Sequence, residues 1–386
     1  MNKILITGGT GFIGTKTANR LVKEGYEVRV FDKLVGEDRR CSDPLDPKIE
    51  VIQGDLFCSP RNKLRAILKD VSQIFHFASY TETGRASNSW EEPEALTCHQ
   101  ANSEGTRILC EEITGNPGII NKIILASSRV VYGEGNYHCG NCKEEFFLFS
   151  GREHKRFLNG DFRVHCTKCD SPAVAIPTKE DGEAAYVSVY GSTKYSQEQI
   201  LQELFRRTGI PTVALRYFNV YGPGAPLSNP YVGVLGIFFT LIRENRTINL
   251  FEQGSPIRDL VHIDDVVEAN LLALKYPIKK YGWHNFIQRR GKGMETFNIG
   301  SGMGLTLQDS LELLMAAYGK RTNYICTNDF REGDIHTCIA DLDKSKKILG
   351  WKPSVFPNEG FKNFVDWAKT QESDLDYKKS LEDVKR

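Results

Sequence analysis

Short apolar runs rich in β-branched residues recur at 3–7, 27–32, 49–53, 73–77, 122–127 and 212–218. Between them lie longer amphipathic stretches at 10–24, 94–114 and 189–208, each long enough for a helical crossover between neighbouring strands. This alternation predicts an α/β fold with a doubly wound parallel sheet. After residue 218 the rhythm gives way to shorter elements rich in Gly and Pro, as expected of a smaller C-terminal substrate domain. Two stretches, 136–172 and 278–293, break the pattern as insertions; the second is basic and carries Trp283, Arg289 and Arg290. The expected division is 1–216 for the first domain, 217–369 for the second, and a polar tail over 370–386.

Composition narrows the classes. The 386 residues are 40% hydrophobic and 26% charged, which suits a globular enzyme with a large core. Fifty Lys and Arg against 49 Asp and Glu leave a formal charge of +1, so no overall field draws the chain to nucleic acid or an anionic membrane. The apolar start is cut short by Gly8, Gly9 and Gly11, and the longest later apolar stretch, 231–242, is too short to span a bilayer. A soluble, cytoplasmic protein is expected. Ten cysteines without an export signal argue against a disulfide framework, and six of them read as small buried hydrophobes.

Thr7-Gly8-Gly9-Thr10-Gly11-Phe12-Ile13-Gly14 falls where the first strand turns into the first helix. Glycine there permits a tight turn and a close approach of backbone to pyrophosphate, and the helix start supplies unpaired N–H donors. This is the context of a Rossmann dinucleotide site, with Gly8, Gly11, Phe12, Ile13 and Gly14 as contacts. Asp32, eighteen residues after Gly14 at the end of the second strand, is placed to accept hydrogen bonds from a ribose, which favours NAD over NADP. Lys33 or Arg29 would soften that preference.

Further along stand Gly54-Asp55-Leu56, His76-Phe77-Ala78-Ser79, Asn102 with Gly105-Thr106, Ser127-Ser128 before Val131-Tyr132-Gly133, and Tyr190-Gly191-Ser192-Thr193-Lys194. Residues four apart share a helix face, so Lys194 stands beside Tyr190. A phenol needs nearby positive charge to act as a base near neutral pH. In this order the motifs resemble the NAD-dependent epimerase/dehydratase family, the extended branch of the short-chain dehydrogenases, over residues 3–369. The resemblance implies Ser128, Tyr190 and Lys194 as catalytic residues. It implies Asp55, Leu56, Phe77, Ala78, Asn102 and Tyr217 as further NAD contacts, and a homodimer built on helices 94–114 and 189–208. It also implies a nucleotide-diphosphate sugar as substrate, bound by Asn219 of Arg216-Tyr217-Phe218-Asn219-Val220-Tyr221-Gly222-Pro223, by Arg258, and by Arg331 and Asp334. Arginine's planar fork suits phosphate oxygens. His262, between them, reads as a packing or helix-capping residue.

Sugar dehydratases of this family place an acid pair directly after the catalytic hydroxyl residue, to eliminate water across C5 and C6. Arg129-Val130 stands there instead, so elimination lacks its general acid and base. The family's decarboxylases, which resemble the glutamate-bearing pattern, lose ground for the same reason. What remains needs a hydride acceptor and one acid/base tyrosine, which describes a 4-epimerase working through a 4-keto sugar. A 4-ketosugar reductase or sugar dehydrogenase, and a non-catalytic NAD-responsive binding protein, stay open as alternatives.

Cys139-Gly140-Asn141-Cys142 and Cys166-Thr167-Lys168-Cys169 form C-x2-C-x23-C-x2-C, the spacing of a four-thiolate zinc ribbon with no position open for substrate. His138 and His165 are expected to be bystanders. The insertion lies between Ser128 and Tyr190, so the lobe is expected at the mouth of the active site, with zinc stiffening a segment too small for its own core. Followed by such a ribbon, the run from Ser127 to Gly135 resembles the zinc-containing subgroup of dTDP-L-rhamnose 4-epimerase type. Lys143, Arg152, Lys155 and Arg156 lend the lobe positive charge that Glu144, Glu145, Glu153 and Asp161 offset, so nucleic acid is not an expected partner.

Overall fold

A computed structural model describes residues 3–34, 41, 43–81, 93–227, 233–277, 293–331 and 333–371, with only the backbone for 93–95. The expected insertion at 278–293 falls outside these residues except for its last position, and the tail beyond 371 falls outside them entirely.

Seven parallel strands form the main sheet in the order Met294–Ile299, Thr212–Tyr217, Lys122–Ser128, Val71–His76, Lys3–Thr7, Val28–Asp32, Glu50–Gln53. Successive side chains of a strand face opposite sides of the sheet. Accordingly Ile4, Ile6, Ile124, Val213 and Leu215 belong to one core, while Leu5, Ile123, Leu125 and Ala214 belong to the other. Helices Phe12–Lys23 and Ile263–Lys275 pack together on the first face. Arg61–Leu68, Gly105–Gly115 and Val189–Thr208 cover the second. Both faces are therefore buried over the strands inside the edge strand Glu50–Gln53, which is why those strands read as near-continuous apolar runs.

Strand order reverses between Lys3–Thr7 and Val71–His76, and ligands of such sheets bind at the carboxyl ends of the strands at that point. Residues 8–14 and 77–80 flank this crevice. The strand Met294–Ile299 lies within the 217–369 stretch, so the chain returns to the large sheet after leaving it.

The Val189–Thr208 helix matches its predicted limits, because Ser188 caps its start by accepting from Gly191 N–H at 3.1 Å and Gly209 ends it at φ 71°. The stretch predicted as one helix over 94–114 instead runs as Pro93–Cys98, a π-helical His99–Glu104, and Gly105–Gly115. The widened turn carries Asn102 inward, where its side chain bonds to Tyr80 and Thr193.

Away from the main sheet, Asn219–Tyr221, Ile257–His262, Gly304–Thr306 and Thr337–Cys338 pair into a small sheet. Val234–Arg243, Leu307–Tyr318 and Pro357–Ala368 enclose a third core. The cysteine segment forms an antiparallel sheet of Asn136–Cys139, Glu144–Phe147 and Val174–Ile176 around Tyr137, Leu148 and Val164. This cluster is small, as expected of a lobe needing another support.

Candidate active site

The glycine loop meets the demands of a dinucleotide. Gly8 has φ 73°, and a Cβ there would lie 2.5 Å from the Ala78 amide nitrogen. A Cβ on Gly14 would lie 2.3 Å from the Gly8 carbonyl oxygen. The first helix starts at Gly11 with no side-chain cap, leaving its amino end to a ligand. Asp32 accepts from the Thr10 and Leu34 amides, both at 3.0 Å, which fixes its carboxylate at the end of the strand. Arg29 points the other way, to Glu50 and the carbonyls of Ile67 and Lys69. Lys33 lies 3.7 Å from Asp55 and is mostly exposed. Asp55 itself turns the chain by accepting from Phe57 N–H at 2.8 Å, and Leu56 and Phe77 are buried.

Two expected cofactor contacts, Asn102 and Tyr217, have their side-chain polar atoms bonded within the protein. Asn102 donates to Thr193 Oγ1 at 2.9 Å and to the Tyr80 carbonyl at 3.2 Å, and accepts from Tyr80 N–H at 2.7 Å and from the Ser79 hydroxyl at 3.1 Å. It ties the segment after the Val71–His76 strand to the Val189–Thr208 helix. The Tyr217 hydroxyl donates to Asn270 at 2.6 Å, and Asn270 donates in turn to Thr17 of the first helix.

Tyr190 and Lys194 lie one turn apart on Val189–Thr208. Burial, then Cys98, pushes the Tyr190 phenol up, and hydrogen bonds with Ser79 and Ser128 oppose this. Burial pushes the Lys194 ammonium down to about 8. Its Nζ donates to Gln197 Oε1 at 2.7 Å, and Gln197 donates to Thr106 at 2.9 Å. His76 bridges Thr106 and Thr7, each at 2.8 Å, and burial holds it down to about 3, hence neutral. This buried polar chain joins the lysine to the glycine strand. Sequence reading missed Gln197, although its i, i+3 spacing from Lys194 was the available signal.

Ser127 and Ser128 face opposite ways. Ser127 donates to Glu198, which holds Arg216 in a buried ion pair at 2.7 Å. Ser128 faces the phenol and accepts from Val130 N–H at 3.3 Å. The preference for Ser128 thus has a geometric basis in strand alternation.

Of the expected substrate contacts, Asn219 is half-buried and its Oδ1 has no partner among the described residues. Arg258 donates to the Ile335 carbonyl at 2.7 Å and to Asp334 Oδ2 at 3.0 Å, so both are gathered at one place. Burial raises the Asp334 carboxyl, but Arg258, Arg331, Arg129 and Arg152 outweigh it and hold the group below its usual range. His262 caps the Ile263–Lys275 helix by accepting from Asp264 N–H, as expected.

In the lobe, the Sγ atoms of Cys139, Cys142, Cys166 and Cys169 lie within 4.8 Å of one another. Cys139 and Cys169 are 3.6 Å apart and Cys142 and Cys166 are 3.9 Å apart. Four thiolates about 2.3 Å from one zinc ion sit about 3.8 Å from each other, so this donor set fits the metal. His165 braces the second pair, through the Asp170 carbonyl at 2.8 Å and Asp161 at 2.9 Å. Arg152 of the lobe is buried between Glu134 at 2.8 Å and Glu252 at 2.6 Å.

A model of the NAD dependent epimerase/dehydratase family matches residues 4–148 and 166–300, and the break between the two stretches lies within the cysteine lobe. The chain is 31% identical over 372 residues to dTDP-L-rhamnose 4-epimerase of Burkholderia thailandensis, covering 95% of this chain and 94% of that protein. It is 26% identical over 365 residues to UDP-glucose 4-epimerase of Lactobacillus helveticus, covering 91% and 92%. Among solved structures, UDP-glucose 4-epimerase of Thermotoga maritima with UDP-glucose matches with a TM-score of 0.70 at 27% identity, over 95% of this chain and 98% of that one.

Proposed function

The chain belongs to the NAD dependent epimerase/dehydratase family, and from that premise we propose that it is a nucleotide-sugar 4-epimerase acting on dTDP-L-rhamnose or a related dTDP-, UDP- or GDP-sugar. The observation that carries this reading is the catalytic trio. Ser128 faces Tyr190, Lys194 lies one turn on, and residues 129 and 130 offer no carboxylate for elimination. Tyr190 takes the proton from the 4-hydroxyl and returns it after the sugar has turned. Ser128 orients that hydroxyl, and Lys194 lowers the phenol's proton affinity by charge. Gly8, Gly11, Gly14 and Asp32 would hold NAD, which would supply the hydride acceptor and donor for C4. Incubation with a panel of sugar nucleotides and NMR of the ring tests this. Inversion at C4 without net cofactor turnover is expected; unchanged sugar with accumulating reduced cofactor contradicts it.

Residues 1–216 hold the cofactor in this reading, and 217–369 hold the sugar nucleotide through Asn219, Arg258, Arg331 and Asp334. The protein works in the cytoplasm as a homodimer through the helices at 94–114 and 189–208, where Leu96 is exposed. No described helix is long and apolar enough to cross a membrane.

Two results are expected at the cofactor and metal sites. Gly14→Ala should weaken NAD binding about ten- to a hundredfold, the effect of about 1–3 kcal/mol of forced packing, as read by calorimetric titration. Elemental analysis should find about one zinc per chain. Cys139→Ser should lower the melting temperature while leaving NAD affinity unchanged; a metal-free protein that melts as the wild type does would remove zinc from the lobe.

A further inference from the structure

Arg129 directly follows Ser128, opens the Arg129–Tyr132 turn and is only 8% exposed. Among the described residues its Nη1 has no hydrogen-bond partner and no acid forms an ion pair with it. A buried cation without an ion-pair partner of its own is costly, and proteins rarely keep one. The acids around it are already taken: Glu134 accepts from Arg152 at 2.8 Å and from His336 N–H at 2.8 Å, and Asp334 accepts from Arg258 at 3.0 Å. Burial, then the like charge of Arg258, pushes the guanidinium below its ordinary value.

The surrounding charge is unbalanced in one direction. Arg152 lies between Glu134 and Glu252. Arg129, Arg258 and Arg331 gather with it around Asp334, so among the described residues four arginines meet three carboxylates and one cation is in surplus. Asn219, on the strand paired with Ile257–His262, adds a polar atom with no partner among the described residues.

We propose that Arg129 is a substrate-binding residue that grips an oxyanion of the sugar nucleotide beside the reacting hydroxyl. This rests on the nucleotide-sugar reading above and deepens it. A guanidinium fork takes a phosphate or a carboxylate equally well, so the oxyanion is either the sugar-side phosphate or a carboxylate on the sugar. The gathering of Arg129 with Arg258 and Arg331 around Asp334 favours the diphosphate. The position that would carry an acid in a dehydratase would then serve recognition.

The test is calorimetric titration of NAD-loaded full-length wild type, Arg129→Met and Arg129→Lys with dTDP, UDP, UDP-glucose and UDP-glucuronate, plus melting without sugar nucleotide. Arg129→Met should bind every diphosphate about 10- to 100-fold more weakly, with unchanged NAD affinity and a melting temperature equal to or above wild type. Arg129→Lys, which keeps the charge without the fork, should fall between. Weakening confined to UDP-glucuronate identifies the carboxylate as the oxyanion. Unchanged affinity for all four ligands overturns the proposal, as does a variant that melts lower and loses NAD as well. If the wild type binds none of the four, the nucleotide-sugar reading fails and this role falls with it.

Discussion

Tyr190→Phe should lower kcat by about 10²- to 10⁴-fold, the usual contribution of a positioned acid/base group, while the NAD content of the purified protein stays unchanged. The variant loses one oxygen from a ring packed beside Val189, Cys98 and Tyr80, so the pocket keeps its shape. Burial raises the phenol, and Ser79 and Ser128 are the hydroxyls that moderate it. Losing the phenol therefore removes the proton route from the 4-hydroxyl without disturbing the polar chain of Lys194, Gln197, Thr106 and His76. Initial-rate kinetics together with cofactor release on denaturation check both halves. A variant retaining more than about a tenth of the rate would remove Tyr190 from the chemistry.

Arg152→Met should destabilise the protein by about 3–5 kcal/mol in urea unfolding, because it leaves Glu134 and Glu252 buried with no partner charge. Arg152 also donates to the carbonyls of Phe162 at 3.0 Å and Asp334 at 2.9 Å, so it joins the lobe to the substrate-side loop. Its loss should therefore raise KM along with the instability. The pH dependence has a definite sign. Burial, opposed by Arg152, already raises both carboxyls above their ordinary values, and removing Arg152 raises them further. A carboxyl that holds its proton more tightly when folded loses stability as pH rises from its unfolded toward its folded value, and the loss stays complete above that. The deficit should accordingly be larger at about pH 8 than at about pH 5. Adding Glu134→Gln and Glu252→Gln to Arg152→Met should recover most of the loss. A single variant as stable as wild type would mean that the lobe is held by other contacts.

What could be read from the sequence was what is local. The Val189–Thr208 helix carries its own stop and start signals in Ser188 and Gly209. The glycine loop needs only its neighbours in sequence to be recognised, and the cysteine pairs announce themselves by spacing. The resemblance implies Ser128 of the serine pair, and strand alternation turns Ser127 to Glu198 and Ser128 to the other side. What stayed hidden depends on residues far apart in the chain. Arg152 meets Glu252 from one hundred positions away, and nothing in either segment signals the partner. Tyr217 and Asn102 carry family motifs, yet their polar atoms are taken by Asn270 and Thr193, which only packing reveals. Met294–Ile299 joins the large sheet by pairing with Thr212–Tyr217 across the irregular stretch between them, so periodicity gave no hint of its place. The position of Arg129 is likewise invisible in a sequence that shows an arginine but not that its buried Nη1 has no partner among the described residues.

The most direct measurement follows the hydrogen on C4. The sugar nucleotide that turns over is labelled with deuterium at C4 and incubated with the purified protein without added NAD, and the product is read by NMR. Reversible oxidation at C4 by a cofactor that never leaves predicts an inverted product with the label still on C4. Label lost to solvent, label found on a different ring carbon, or turnover that demands added cofactor would contradict a 4-epimerase.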